Sequence, residues 1–398
     1  MVFNRYSSYM EEIVTPIGIT NYRNTNQKFG IKDKDRLRHI YVIGKTGVGK
    51  STLLKNMALS DIYRGNGLCI LDPHGDIAVE IIEHIPKWRT KDLVYFNPRD
   101  MDNVIAFNPL HGIQPKYHHL VASGLVSAFK KIWADSWGPR MDYILRYVIL
   151  TLLWVPDVTL LDIQPLLTDE AYRNRVLIHV KEQYILDYWD KEFAKYNKAF
   201  RMEAISPILN KTGLFLSSAP LRATVGQKAR DLRLQEIMDK KKILICNLSK
   251  GELGEEASSL LGSMILSTIQ QAALYRARLP QEQRVPFYCY IDEAQSFLTL
   301  SFVGILAEAR KYTLSLFMAH QYIEQLDERI RTAIFGNVGT IISFRVGAPD
   351  AEYLAKEFYP VFDVEDLIAL PRYSMYLKLI VDGATSAPFS ATSLPETY

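Results

Sequence analysis

The run Gly44-Lys45-Thr46-Gly47-Val48-Gly49-Lys50-Ser51 fits the spacing G-x-x-x-x-G-K-[ST] at every fixed position. Glycines let the backbone wind tightly and aim successive N–H groups at phosphate oxygens. A helix beginning at Lys50 would add the partial positive charge of its N-terminus. Lys50 is then placed for the β- and γ-phosphates of a nucleotide, and Ser51 offers a hydroxyl to Mg2+. A glycine turn with a surface lysine would need none of this context. Here an apolar run, 39–44, precedes the motif and a helix-like stretch, 51–63, follows it. A second group lies far downstream, where the apolar run 288–291 ends in Asp292 and Glu293. In a phosphate-loop enzyme the first carboxylate holds Mg2+ and the second orients or deprotonates the attacking water.

Three further candidates sit at predicted strand ends. Asp72 ends the run 67–72, and the C-terminal ends of strands line the ligand crevice in open α/β sheets. Its alternative is a helix-capping turn, which Asp76 fits better. Gln321 ends the run 314–320 and is placed to sense a γ-phosphate, with a solvated loop glutamine as the alternative. Charge at the leaving phosphate calls for a cation, often an arginine from a neighbouring subunit. Arg310, Arg331 and Arg345 all lie in the right half of the chain, and Arg310 leads.

These residues need strands and helices in alternation to bring them together. The rhythm of strand 39–44, helix 51–63, strand 67–72, helix 76–84 and strand 92–96 implies parallel βαβ units. It resumes with strand 242–248, helix 257–278 and strands 287–292, 314–320, 340–346 and 375–381. Between them, 112–238 shows only helical periodicity. The reading is an α/β phosphate-loop domain over 39–111 and 239–383, its mostly parallel sheet flanked by helices. An all-α insertion fills 112–238, a polar extension 1–38, and a loose Ser/Thr/Pro-rich tail 384–398.

Residues 191–233 carry nine basic side chains against three acidic ones, in a chain whose net charge is only +3. Lys191, Lys195, Lys198, Arg201 and Lys211 are candidate contacts to nucleic-acid phosphates. Phe193, Tyr196, Phe200 and Phe215 are interleaved and could stack on bases. The competing reading is a solvated helix face over core aromatics. Hydrophobic residues at 48% and charged ones at 23% of 398 exclude a disordered or disulfide-scaffold protein. Cys69, Cys246 and Cys289 read as buried thiols in a reducing compartment. No metal-ligand histidine spacing and no Ser/His/Asp arrangement stands out. The start of the chain lacks the apolar core of a signal peptide. The longest apolar run, 147–155, is far short of the roughly twenty residues of a membrane span. A soluble protein is expected.

Taken together, GKTGVGKST (44–52), LDPHGD (71–76), NPL (108–110), YIDEAQSF (290–297), LAEARKY (306–312), AHQY (319–322) and FGNVGTIISFRVG (335–347) resemble the HerA/FtsK superfamily of DNA-pumping ATPases. Within it the chain is most similar to the TraG/TraD-type coupling proteins of conjugation and type IV secretion. The match runs over 35–383. The resemblance implies a RecA-like ATPase domain with an all-α insertion, ATP and Mg2+ as cofactors, and a homo-hexameric ring with DNA in its pore. It implies a nucleotide cradle from Gly44 through Lys45, Thr46, Gly47, Val48, Gly49, Lys50 and Ser51 to Thr52, with Ser51 and Asp292 on the metal. Glu293, Lys50, Gln321, Asp72 and a trans-acting Arg310 form the catalytic set. Ala309 stands where the superfamily has glycine, and Arg345 stays open as the finger. Membrane-bound coupling proteins carry N-terminal spanning helices, of which this sequence shows none, and 38 residues are too few for the N-terminal β-barrel of HerA-type proteins. The expectation is a cytoplasmic motor that reaches a membrane only through a partner such as a relaxase or secretion channel. Genome-packaging and protein-export ATPases share every motif. A nucleotide-gated scaffold would not need Glu293, Gln321 and Arg310 together.

Overall fold

The computed structural model describes residues 14–21, 25–228 and 232–396. Most of the polar start of the chain, 1–13, lies outside them. Among the described residues thirteen strands run in chain order: β1 (Val14–Thr20), β2 (Lys28–Lys32), β3 (Ile40–Ile43), β4 (Gly67–Asp72), β5 (Leu93–Phe96), β6 (Ile243–Asn247), β7 (Phe287–Ile291), β8 (Leu314–His320), β9 (Thr340–Ser343), β10 (Ser374–Lys378), β11 (Ile380–Val381), β12 (Ala384–Thr385) and β13 (Phe389–Ser393). Eleven form one sheet in the order β2-β1-β13-β10-β9-β3-β8-β7-β4-β6-β5. From β9 to β5 all neighbours are parallel. The edge from β10 to β2 is antiparallel. The remaining two strands, β11 and β12, make a small hairpin.

The central strands are apolar runs because both faces are covered. Ile40 and Val42 of β3 face one hydrophobic cluster, and Tyr41 and Ile43 face the other. Against the first face lies α1 (Lys50–Tyr63), with Leu53, Leu54 and Met57 buried. The three cysteines lie on β4, β6 and β7, buried and free, as their apolar setting predicts. Between β5 and β6 the regular elements are all helical. Here α3 (His118–Ile132), α4 (Pro139–Leu152) and α5 (Lys198–Ser217) follow α2 (Asp76–Glu83) of the sheet domain. α3 packs on α6 (Glu255–Tyr275) so closely that a Cβ at Gly124 would overlap Ser267 Oγ.

The helical insertion has its own aromatic core. Tyr147 of α4 stacks on Tyr188 at 4.1 Å, and Trp189 meets Phe193 edge-on at 4.9 Å. The Trp189 indole N–H donates to Thr151 Oγ1 (2.8 Å).

Two sequence expectations need correction. Residues within the polar extension 1–38 form β1 and β2, and the tail 384–398 forms β12 and β13 rather than a loose end. β13 pairs with β1 and with β10, Gly18 opposite Ser393. Strands that pair across the whole chain carry no local signal, and Ser, Thr and Pro mask the alternation that buries Ala391 and Ser393.

Candidate functional site

The loop 44–51 joins β3 to α1 at the C-terminal edge of the parallel strands. Gly47 (φ 74°) and Gly49 (φ 124°) hold backbone conformations that side chains resist. A Cβ on Gly49 would also press on Phe344 and Tyr373 at 3.0 Å. Backbone bonds dock the loop on its neighbours: the Gly44 N–H donates to His320 O (3.2 Å) and the Lys45 N–H to Arg345 O (2.9 Å). Lys50 Nζ donates to Gly44 O (2.6 Å) and Lys45 O (3.0 Å). Burial lowers the pKa of its ammonium, while Glu293 and Asp292 act to restore it. Ser51 is exposed in the first turn of α1, and Thr52 Oγ1 donates to Glu396 Oε1 (3.3 Å).

β7 carries Asp292 and Glu293 to the same edge. A buried network fixes that strand against α1. Arg36 grips both oxygens of Asp61 (2.8 and 2.7 Å), and Tyr290 of β7 donates to Asp61 Oδ2 (2.6 Å). Burial pushes the Asp61 carboxyl up, but Arg36 outweighs it and the group stays below the usual carboxylate range. Asp292 is buried, and its Oδ1 has no hydrogen-bond partner. Burial, then Glu293 and Asp72, push Asp292 up to about 7 against the pull of Lys50. Glu293 sits at φ 45°, a left-handed conformation uncommon for such a residue and a mark of functional sites.

Gln321, just past the end of β8, donates its amide to Glu293 Oε1. Thr46 Oγ1 of the loop donates to Gln321 Oε1 (3.2 Å). Gln295 donates to the other carboxylate oxygen of Glu293 (2.6 Å). Loop, glutamine and glutamate are thus one connected group. Asp72 is fully buried beside it. Its Oδ1 accepts from the His74 N–H and its Oδ2 from the Ala78 N–H, both at 2.9 Å. Both oxygens are therefore engaged in shaping the turn into α2, which is the helix-capping alternative for this residue.

Arg310 does not join this group. It is exposed in the single turn Ala309–Tyr312 that leads into the N-terminal end of β8, whereas Gln321 follows the C-terminal end. Seven residues of strand separate them, about 23 Å. Arg345 supplies only its carbonyl to the loop, and Arg331 lies over the Tyr353 ring. The insertion candidates do not join this group either. Lys191 pairs with Asp187 (2.9 Å), Arg201 lies over Phe193 and donates to Tyr196 O, Lys195 and Lys198 are exposed, and Lys211 is half-buried. Phe193 is core, and Tyr196 and Phe200 pack edge-on at 4.8 Å. Arg230, one of the nine basic residues, lies outside the described residues.

Four neighbours of the site escaped the sequence reading. Gln295 was visible in YIDEAQSF, but its aim was not. His74, Asp292 and Glu293 have potential ligand atoms all within 4.8 Å of one another. Arg372 Nε donates to Gly47 O (2.9 Å) and the Tyr373 N–H to Val48 O (2.8 Å), from a segment with no motif of its own. The donor set fits a hard divalent ion: a buried carboxylate oxygen without a partner, with a hydroxyl on α1. The loop's glycine-shaped backbone at a helix start fits a polyphosphate.

Residues 17–269 match the family described as "Helicase HerA, central domain", and 286–358 match "TraM recognition site of TraD and TraG". The type 4 coupling protein DotL of Legionella pneumophila is 22% identical over 364 residues, covering 76% of this chain and 46% of DotL. The chain thus spans about half the length of that relative. Among solved structures, the bacterial conjugative coupling protein TrwB superposes with a TM-score of 0.67 at 17% identity, covering 93% of this chain and 87% of that one. A TrwB complex with ADP and Mg2+ gives 0.64 at 18%, covering 90% and 86%. VirB4 of Thermoanaerobacter pseudethanolicus gives 0.65 at 14%, covering 98% and 97%. At these identities the structural likeness establishes the fold, a RecA-like phosphate-loop domain with a helical part. Among the described residues no helix is long and apolar enough to cross a membrane.

Proposed function

The chain belongs to the HerA helicase central-domain family, and from that premise we propose that it is an ATP-hydrolysing DNA translocase of the coupling-protein type. The observation that carries the reading is the connected group Thr46–Gln321–Glu293 at the mouth of the loop. It ties the nucleotide cradle, the residue that senses it and the residue that activates water into one unit.

In this reading the backbone N–H groups of 44–51 hold the phosphates. Lys50 exchanges the carbonyls of Gly44 and Lys45 for β- and γ-phosphate oxygens. Ser51 and Asp292 hold Mg2+, which when bound offsets charge on the phosphates. Asp292 would suit that role because its buried Oδ1 has no hydrogen-bond partner among the described residues. Glu293 turns from its amide donors to orient water and take its proton. Gln321 then follows the γ-phosphate. Arg310, about a strand's length away from its own site, serves a neighbour's site in a homo-hexameric ring. DNA in the pore meets the insertion through Lys191, Lys195, Lys198, Arg201 and Lys211. The motor comprises 39–111 with 239–383, extended by β1, β2 and β13, which join the same sheet, and 112–238 is the insertion. The protein works in a reducing, cytoplasmic setting, docked on a relaxase or a secretion channel. The names of DotL and TrwB and the TraM-recognition match support that partner class.

The test is steady-state ATPase with and without single- and double-stranded DNA, with Lys50→Ala as control, across salt and protein concentration. Stimulation that rises cooperatively with protein and fades with salt is expected. Turnover indifferent to both DNAs would shift the reading to a protein-export ATPase of the same superfamily.

A further inference from the structure

One contact joins the helical insertion to the catalytic loop. Lys131, in the last turn of α3, points its ammonium at the backbone carbonyl of Gln295 (2.6 Å). Gln295 lies two residues beyond Glu293 in the turn Ala294–Ser296, and its side-chain amide donates to Glu293 Oε2. Gln321 holds Oε1. Both oxygens of Glu293 are therefore held by amides, one from the strand that senses nucleotide and one from a turn anchored by the insertion.

Backbone bonds close the turn, Ser296 N–H to Glu293 O (2.8 Å) and Phe297 N–H to Ala294 O (3.0 Å), and the Lys131 bond adds a side-chain anchor at Gln295. Its Oε1 is buried without a partner, so the amide is fixed from the backbone side. Burial lowers Lys131 to about 8, with Lys250 opposing its charge and Asp327 favouring it. When charged, the ammonium makes a charge-assisted hydrogen bond to that carbonyl. Cavities of about 330 and 450 Å³ lie on either side of this contact. Lys131, Gln295 and Gln325 line both. The Lys131 side chain at the end of α3 therefore borders open space on both sides.

We propose that Lys131 is a positioning residue that restrains Glu293 through Gln295, so that displacement of α3 frees the glutamate for water. The inference rests on the motor reading for the role of Glu293. It makes the insertion a brake on hydrolysis, released when cargo moves α3.

The experiment compares kcat and KM for ATP, with and without DNA, in the full chain and in Lys131→Met, Lys131→Arg, Gln295→Ala and the Lys131→Met/Gln295→Ala pair. Lys131→Met should raise DNA-free kcat roughly fivefold, the scale of one hydrogen bond removed, with KM within about twofold. DNA stimulation should shrink correspondingly. Lys131→Arg keeps a donor and should behave as wild type. Gln295→Ala should match Lys131→Met, and the pair should add nothing further, as expected for one path. A DNA-free kcat that is unchanged or falls in Lys131→Met, or effects that multiply in the pair, overturns the proposal. Wild-type turnover that ignores DNA overturns the motor reading instead, and the DNA-free rates still decide the relay.

Discussion

At the mouth of the loop Asp292 keeps a buried oxygen without a partner and Glu293 is bent to φ 45°. In the insertion Trp189 is just as deeply buried, yet its N–H reaches Thr151 and its ring is packed by Phe193 and Tyr188. The first region holds polar atoms and backbone in arrangements that burial alone would not favour. The second spends its large side chains on packing. Buried polar atoms without a partner occur in both regions, the Tyr188 hydroxyl among them, but at the loop they stand beside paired carboxylates and a glycine-shaped backbone, an arrangement that a ligand would complete. Aromatics beside lysines are weaker evidence, since a small helical unit needs those rings for its own core.

That contrast can be broken by substitution. Glu293→Gln should cut kcat by about 10²–10⁴ while nucleotide binding persists, measured by single-turnover hydrolysis and by analogue titration. Near-normal turnover would remove the site from the comparison. A loss of similar size is expected for Arg310→Ala, on the scale of at least 10³ for an arginine finger. Mixing Arg310→Ala with Lys50→Ala subunits should restore part of the activity if Arg310 acts in trans. No recovery in the mixture would place the finger elsewhere. In the insertion the large effect should be on folding. Trp189→Ala should cost about 3–5 kcal/mol in denaturant unfolding, with nucleotide affinity unchanged in the protein that remains folded.

A smaller effect separates pH regimes. His39 is buried between the Leu306 carbonyl and the Leu316 N–H, and burial lowers it from 6.5 to about 4. The unfolded chain therefore binds a proton the folded chain refuses. Stability tied to the neutral ring is present above 6.5 and is lost as pH falls toward 4, by roughly 3 kcal/mol. His39→Gln should flatten that part of the stability profile; an unaltered slope would assign it to other groups. The smallest effect belongs to the insertion's lysines. Replacing Lys195, Lys198 and Lys211 with Gln should lower the dependence of log K on log[salt] for double-stranded DNA by about 0.9 for each phosphate no longer neutralised. An unchanged slope would leave 191–233 as a solvated face.

The phosphate loop was legible because its chemistry demands fixed residue types within eight positions. The acidic strand end and Gln321 followed from the same logic of strand ends. The grip of Arg372 and Tyr373 on Gly47 and Val48 was not legible, since it joins segments about 325 residues apart through one side chain and one backbone bond. Nor was β13, whose pairing with β1 is set at opposite ends of the chain. Gln295 lay within a motif read for its carboxylates, and only the fold shows which way its amide turns. Periodicity could not separate a stacking platform from a core, and Phe193 settled on the core side.

β8 runs between β3 and β7 with both edges hydrogen-bonded and every residue buried. Such a strand cannot stretch or bow, so its two ends move as the ends of a stiff rod. On the proposed reading one end carries the nucleotide sensor, Gln321, and the other carries Arg310, which lies away from its own site. In a closed circle of such subunits, news of one hydrolysis would travel along the rod to the next site and never straight back. The circle would then fire in one rotational sense, set by the direction of a single strand.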